Sequence, residues 1–365
     1  MNLIKKLQLL WMHLRQWMPK HHKAVWIISG ITVICIGGIT SYLILSQKPV
    51  VAESKPIVKI VEEPEPEPTK YYSPLTGKLV TTEAKTKKPV TGIMIENSPD
   101  ARPQSGLKNS GVVFEAIAEG GITRFLVLYQ QEKPQMIGPV RSLRLYDVDW
   151  AAAFNTSISH VGGSAAALAE VRNGQYRDID QFFNPDSYWR ATDRYAPHNV
   201  YTSFALLDAL NVAKGYKTSS FTGFTRIDGK PSSTPNAKTI DITISSSSYN
   251  STYVYSKKTN TYARSQGGEP HLDRESGQIA PSVVIALRVN ETTVLEDGYR
   301  ENIVTTGSGS ATIFQNGVAV NAIWHKTSKL GQITFTDAAK ADIPLVRGQT
   351  WIAAVPNGEG NVVWK

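Results

Sequence analysis

The feature that most constrains this chain is the run Ala24–Leu45, 22 residues without a single charge. At a rise of 1.5 Å per residue it forms a helix of ~33 Å, enough to cross a hydrocarbon core of ~30 Å. A buried helix of a soluble protein would show a polar face at this length. A cleaved signal peptide has an apolar region of ~7–15 residues ending in a small-x-small site. This run is too long, and Tyr42-Leu43-Ile44-Leu45 offers no such site. Lipidation at Cys35 would require a small residue before it, where Ile34 stands. The run therefore predicts a single transmembrane helix, residues 24–45. Cys35 is the only cysteine, so the rest of the chain can form neither a disulfide nor a cysteine zinc site.

Flanking charge sets the orientation. Residues 1–23 carry Lys5, Lys6, Arg15, Lys20 and Lys23 and no acid, whereas the far side holds Glu53, Glu62, Glu63, Glu65 and Glu67. The positive-inside rule predicts a cytoplasmic N-terminus and an extracytoplasmic remainder. Leu3, Ile4, Leu7, Leu10, Trp11, Leu14, Trp17 and Met18 recur at helical spacing. This basic amphipathic segment is expected either to lie in the anionic inner leaflet, with membrane lipid as its partner, or to serve only as a topogenic flank. Residues 46–70 include Glu63-Pro64-Glu65-Pro66-Glu67-Pro68, which cannot pack a core and reads as an extended spacer.

Net charge is +8, but residues 1–70 account for nine of the 39 basic and five of the 31 acidic residues. The 30 basic and 26 acidic residues that follow leave a mildly basic surface, too weak for a nucleic-acid footprint.

The remainder reads as two parts. In residues 71–216, the strand-like runs 90–95, 111–117 and 124–129 alternate with helical patterns over 147–154 and 164–171. A third helix runs from Thr202 or Ser203 to Ala213. Ser164 is an expected N-cap, and Gly215 an expected stop. This predicts a mixed α/β domain. Residues 217–238 form a Ser/Thr/Gly/Pro-rich connector. From Thr239 to Lys365, short β-type runs recur, and Gln315-Asn316-Gly317 signals a hairpin, predicting a mostly β domain. The fold class is thus α+β or α/β: transmembrane helix, mixed α/β domain, mostly β C-terminal domain.

The polar phrases concentrate in the first part. They are 97–106, Ala118-Glu119-Gly120-Gly121-Ile122-Thr123-Arg124, Gly138-Pro139-Val140-Arg141-Ser142-Leu143-Arg144, Ser159-His160-Val161-Gly162-Gly163-Ser164 and 190–199. Arg102, Arg124, Arg141, Arg144, Arg190 and Arg194 lie in loops or at strand ends beside Ser142 and Asn199. A guanidinium matches carboxylate or phosphate bidentately, and N–H groups of 162–164 could add donors. The set predicts an anion pocket. The alternative is structural pairing of each arginine with Glu115, Glu119, Asp147, Asp149 or Asp193. His160 and His198 are candidate bases. Glu115 and Glu119 are a candidate carboxylate pair, although a straight strand would set them ~13 Å apart. His271 and Asp273 lack a third ligand, His325 reads as structural, and no metal or cofactor is expected.

Those phrases, in that order, together with Ser73-Pro74-Leu75-Thr76-Gly77, Tyr262-Ala263-Arg264, His271-Leu272-Asp273 and Gly348-Gln349-Thr350-Trp351-Ile352, resemble the YerB-like lipoprotein family of bacteria. The resemblance spans nearly all of residues 73–351. It implies an envelope location and an N- plus C-terminal domain layout, and carries no activity. The expected function is binding of an anionic envelope polymer or peptidoglycan fragment. The alternatives are an envelope phosphotransferase or hydrolase and a protein-interaction scaffold. The layout is similar to the LytR-CpsA-Psr phosphotransferases, but those use an Arg-Asp pairing with Mg²⁺, whereas Leu143 and Arg144 follow Ser142 here.

Overall fold

Hydrophobic period decides the elements. In the computed structural model, which describes residues 3–17, 19–46, 69–294 and 300–365, the N-terminal patterns give two helices, α1 (Leu3–Trp17) and α2 (His22–Leu45). On α1, Ile4, Leu7, Leu10, Trp11, Leu14 and Trp17 are all exposed. Within α2, Trp26–Leu45 is long and apolar enough to cross a membrane. These residues form one unit; residues 68–365 form another. The Glu/Pro spacer falls almost wholly outside the described residues.

The second unit is built on a ten-stranded sheet. The first half supplies β1 (Thr91–Glu96), β2 (Val112–Glu119), β3 (Ile122–Tyr129), β4 (Ser157–His160) and β5 (Arg177–Asp180). It also supplies helices α3 (Leu145–Ala152), α4 (Ala165–Val171) and α5 (Phe204–Ala213). The second half begins with β6 (Thr239–Thr243), β7 (Ser251–Ser256), β8 (Thr261–Gln266) and β9 (Glu269–Pro270). It continues with β10 (Val283–Val289), β11 (Gly307–Gln315), β12 (Val318–Lys326), β13 (Thr334–Thr336), β14 (Thr350–Pro356) and β15 (Asn361–Trp364). The large sheet runs β13-β12-β11-β10-β14-β2-β3-β1-β4-β5, and a five-stranded sheet runs β9-β8-β7-β6-β15.

The expected elements are present. Ser164 and Ser203 cap α4 and α5, each accepting from a backbone N–H one turn ahead. The hairpin β11–β12 turns on Asn316 and Gly317, both at positive φ, as a two-residue primed turn requires. The strand expected over 332–335 starts only at Thr334.

The two halves share the large sheet. β14, from the C-terminal half, pairs in parallel with β2 on one side and β10 on the other. One face buries Phe114, Leu126 and Leu128 against Tyr146, Val148 and Trp150 of α3. The opposite face buries Val113, Phe125 and Trp351 against Phe204 and Leu207 of α5 and Ile240, Tyr253 and Tyr262 of the smaller sheet.

Strand direction places the functional region. β1 and β2 both run antiparallel to β3, and β4, β5, β10 and β14 are parallel to one or other of them. The carboxyl ends of six strands, including Glu96, Glu119, His160 and Asp180, therefore align along one edge. That edge is where open α/β sheets present ligand-binding loops.

Candidate functional site

β1 runs through the apolar residues Ile93, Met94 and Ile95 and ends on Glu96. Glu96 is cross-strand partner of Arg124 on β3, so their side chains leave the same face. Beyond residue 93 the bridge to β4 ends, and residues 138–143 enter the gap. Arg141 N–H donates to the Met94 carbonyl, and Val161 N–H donates to the Arg141 carbonyl. This places Arg141, Ser142 and Arg144 at the carboxyl edge.

Two charged groups result. In the first, Glu96 is buried to 3% exposure and its Oε1 gathers three contacts. Ser98 Oγ donates to it at 2.9 Å, His198 Nδ1 lies 2.9 Å away, and Arg141 Nε 3.3 Å away. Glu96 Oε2 is buried without a hydrogen-bond partner. Because a carboxylate is the acceptor in this pair, His198 Nδ1 is the donor, and Nε2 makes no hydrogen bond among the described residues. The nearest charge to Nε2 is Asp100 Oδ2, at 3.9 Å. Among the described residues the Arg141 guanidinium donates no hydrogen bond; its ion pair with Glu96 is its one polar contact, and it is 24% exposed.

In the second group, Glu119 pairs with two arginines. Arg124 Nη2 lies 2.7 Å from Oε1, Arg144 Nη2 pairs with Oε2, and Arg124 Nη1 donates to the Ser142 carbonyl at 3.0 Å. Burial pushes the Glu119 carboxyl up, but the two guanidiniums outweigh it and hold it at about 2. Asp147, which accepts from the Arg144 N–H at the start of α3, is buried more completely, and burial drives it up to about 7. Arg144 and the start of α4 line a cleft of about 460 Å³, opposite Thr292, Thr293 and Arg300.

The remaining arginines form a rim. Arg102 donates to the Asn97 side chain and carbonyl and stacks over Tyr249, 5.3 Å to the ring centroid. Arg194 donates to the carbonyls of Asp100 and Pro103, and Arg190 to Asn199 Oδ1 at 2.7 Å. Asn199 in turn ties Ala191 and Arg194 together.

Three expectations need correction. Glu115 and Glu119 do not form a carboxylate pair. The register shift between Ile117 and Glu119 turns Glu119 to the α3 face with Arg124 and Arg144. Glu115, on the other face, is fully buried against Arg264 Nη2 at 2.8 Å and Trp351 Nε1 at 2.9 Å. His160 is fully buried, with Nδ1 2.8 Å from the Gly162 carbonyl and Nε2 2.9 Å from Asp178 Oδ1, so neither nitrogen is open to a substrate. The N–H groups of Gly162 and Ser164 are likewise committed, to Asp180 Oδ1 and the Leu143 carbonyl.

His271 donates from Nε2 to Gln104 Oε1, and Arg264 donates to its other nitrogen. Burial, then Arg264 and Arg102, keep it neutral. Asp273 accepts from the Lys108, Glu275 and Ser276 N–H groups. Among the described residues no cluster of three His, Cys, Asp or Glu could hold a metal. His325 lies 3.0 Å from Thr336 Oγ1 in a strand pair.

Glu96 and Ser98 escaped sequence reasoning. The available signal was an acid ending an apolar strand, Ile93-Met94-Ile95-Glu96.

An α/β unit with its polar residues gathered at the carboxyl sheet edge, following an apolar N-terminal helix, defines the class. Residues 75–217 match the family described as "Protein of unknown function (DUF3048) N-terminal domain", and residues 240–352 match its C-terminal domain. The chain belongs to this family. It is 33% identical over 293 residues to a protein of Bacillus subtilis (strain 168) described as "Putative lipoprotein YerB", covering 79% of this chain and 87% of that one. The crystal structure of Bacillus subtilis YerB superposes with a TM-score of 0.71 at 30% identity, over 80% of this chain and 100% of that chain.

Proposed function

We propose that this is a membrane-anchored, extracytoplasmic protein that binds an anionic ligand of the cell envelope at the carboxyl edge of its large sheet. Trp26–Leu45 spans the bilayer once, with the basic N-terminus in the cytoplasm and in contact with lipid. The description of the Bacillus relative as a lipoprotein supports the location. The ligand group is a phosphate or carboxylate of a polymer or peptidoglycan fragment.

One observation carries the binding reading: the terminal N–H donors of Arg141 are uncommitted, while Arg124 and Arg144 are both tied to Glu119. A guanidinium held by its stem with its fork open is arranged to meet an oxyanion. Ser142 lies beside it, and Arg102, Arg190, Arg194 and Asn199 shape the rim.

The test is a thermal melt of the full chain in detergent against inorganic phosphate, pyrophosphate and peptidoglycan fragments. A ligand at about 100 times its Kd adds about 2.7 kcal/mol of stability. The shift should be present in the wild type and absent in a folded Arg141→Ala protein. A shift that survives this substitution, or none with any ligand, refutes the reading.

A further inference from the structure

We propose that the same edge transfers protons: His198 is the general base for attack of water on a phosphodiester held by Arg141. The inference rests on the anion-binding reading and adds a reaction to it.

Three observations converge. His198 sits on the loop joining the 189–190 and 200–201 strands, 23% exposed, with Nδ1 fixed by buried Glu96 at 2.9 Å. A carboxylate on one imidazole nitrogen sets the tautomer and stabilises the imidazolium that forms when the other nitrogen takes a proton. Nε2 makes no hydrogen bond among the described residues. Arg141 Nε lies 3.3 Å from the same Glu96 oxygen that His198 Nδ1 meets at 2.9 Å, so one buried carboxylate holds both the guanidinium and the imidazole. The other charged group near Nε2 is Asp100, on the exposed rim, and Ser98 Oγ is 3.3 Å from Nδ1.

The step balances without a redox partner. The oxygen of water forms a bond to phosphorus as His198 Nε2 takes its proton. The phosphorus–oxygen bond to the leaving group breaks, and the imidazolium returns the proton to the departing oxygen. Arg141 stabilises charge on the non-bridging oxygens. Glu96 is a positioning residue, and His198 and Arg141 are the catalytic ones.

The experiment uses the full chain in detergent, with bis(p-nitrophenyl) phosphate followed by p-nitrophenolate release. That leaving group departs without a proton, so the assay isolates the base. In parallel, stabilisation by inorganic phosphate is measured. The wild type should turn over the diester. His198→Ala should lower kcat about 100-fold or more while keeping phosphate stabilisation. Glu96→Gln should lower kcat far more than it raises KM. Arg141→Ala should lose both readouts. If His198→Ala fails to fold, His198→Gln makes the same test. No wild-type turnover above background, or turnover that survives loss of His198, overturns the inference. If Arg141-dependent phosphate stabilisation persists in that case, the binding reading stands; if it too is missing, both fall.

Discussion

At the scale of single residues, the fold drives neighbouring acids in opposite directions. Glu119 and Asp147 face the same guanidiniums, yet Glu119 is held at about 2 and Asp147 pushed to about 7, because burial wins only at Asp147. The consequences for stability have opposite signs. Asp147 titrates above its ordinary value of 3.8, so its contribution is complete below that pH and is lost as pH rises through about 7. Asp147→Asn, which keeps an acceptor for the Arg144 N–H, should be no more stable than wild type near pH 4. By pH 8 it should be more stable by up to ~4 kcal/mol, at ~1.4 kcal/mol per pK unit. Urea unfolding at pH 4, 6 and 8 checks this, and a difference that ignores pH would mean Asp147 is ionised throughout. The Glu119 contribution is present above its ordinary 4.5 and is lost as pH falls toward 2. Glu119→Gln leaves two buried cations unmatched and should cost about 3–5 kcal/mol at pH 7, read from the same urea curves. The arginines were legible in the sequence because arginine among glycine and serine is visible locally. Glu96 was not, because its partner His198 lies 102 positions away and only the fold joins them.

At the scale of elements, the legible features were those fixed within a few residues. Ser164 and Ser203 cap their helices because a hydroxyl at that place satisfies an orphan N–H. The β11–β12 turn follows from Asn316-Gly317, since both positions require positive φ. Gly317 has φ near +80°, and a Cβ there would come 2.5 Å from the Tyr255 ring. Gly317→Ala should therefore cost about 1–3 kcal/mol through left-handed strain and displacement of Tyr255. The matching control is Asn316→Asp, which tolerates the same positive φ, keeps the Oδ1 that accepts from Lys230 N–H and Asn260 Nδ2, and should cost well under half as much. Equal losses in thermal melts of the two would locate the effect outside the turn. The β2 bulge was not legible: nothing in Ile117-Ala118-Glu119 marks the register shift that turns Glu119 to the arginine side.

For the second unit, residues 68–365, as a whole, the order of strands links parts of the chain that read as separate in sequence. β14 enters between β10 and β2, and a parallel insertion of this kind leaves no local signature because its partner β2 lies more than 200 residues away, Thr350 pairing with Val112. The linkage is also electrostatic. Arg264 on β8 is fully buried, pairs with Glu115 on β2, and stacks over Trp351 on β14, 4.5 Å to the ring centroid. Neither half can expose this network without uncovering a charge or a sheet edge, so both halves should unfold together. Calorimetry of the full chain in detergent should give a single transition for residues 68–365 whose calorimetric and van't Hoff enthalpies agree. Arg264→Ala strands the Glu115 carboxylate in an apolar layer and should lower stability by about 3–5 kcal/mol. That loss should move the whole transition rather than split it, because the sheet strands still interlock. Two resolved transitions in the wild type would show that the C-terminal half docks on a self-sufficient first half. The carboxyl-edge site would then be testable on the first half alone, since Glu96, Arg141 and His198 all belong to it.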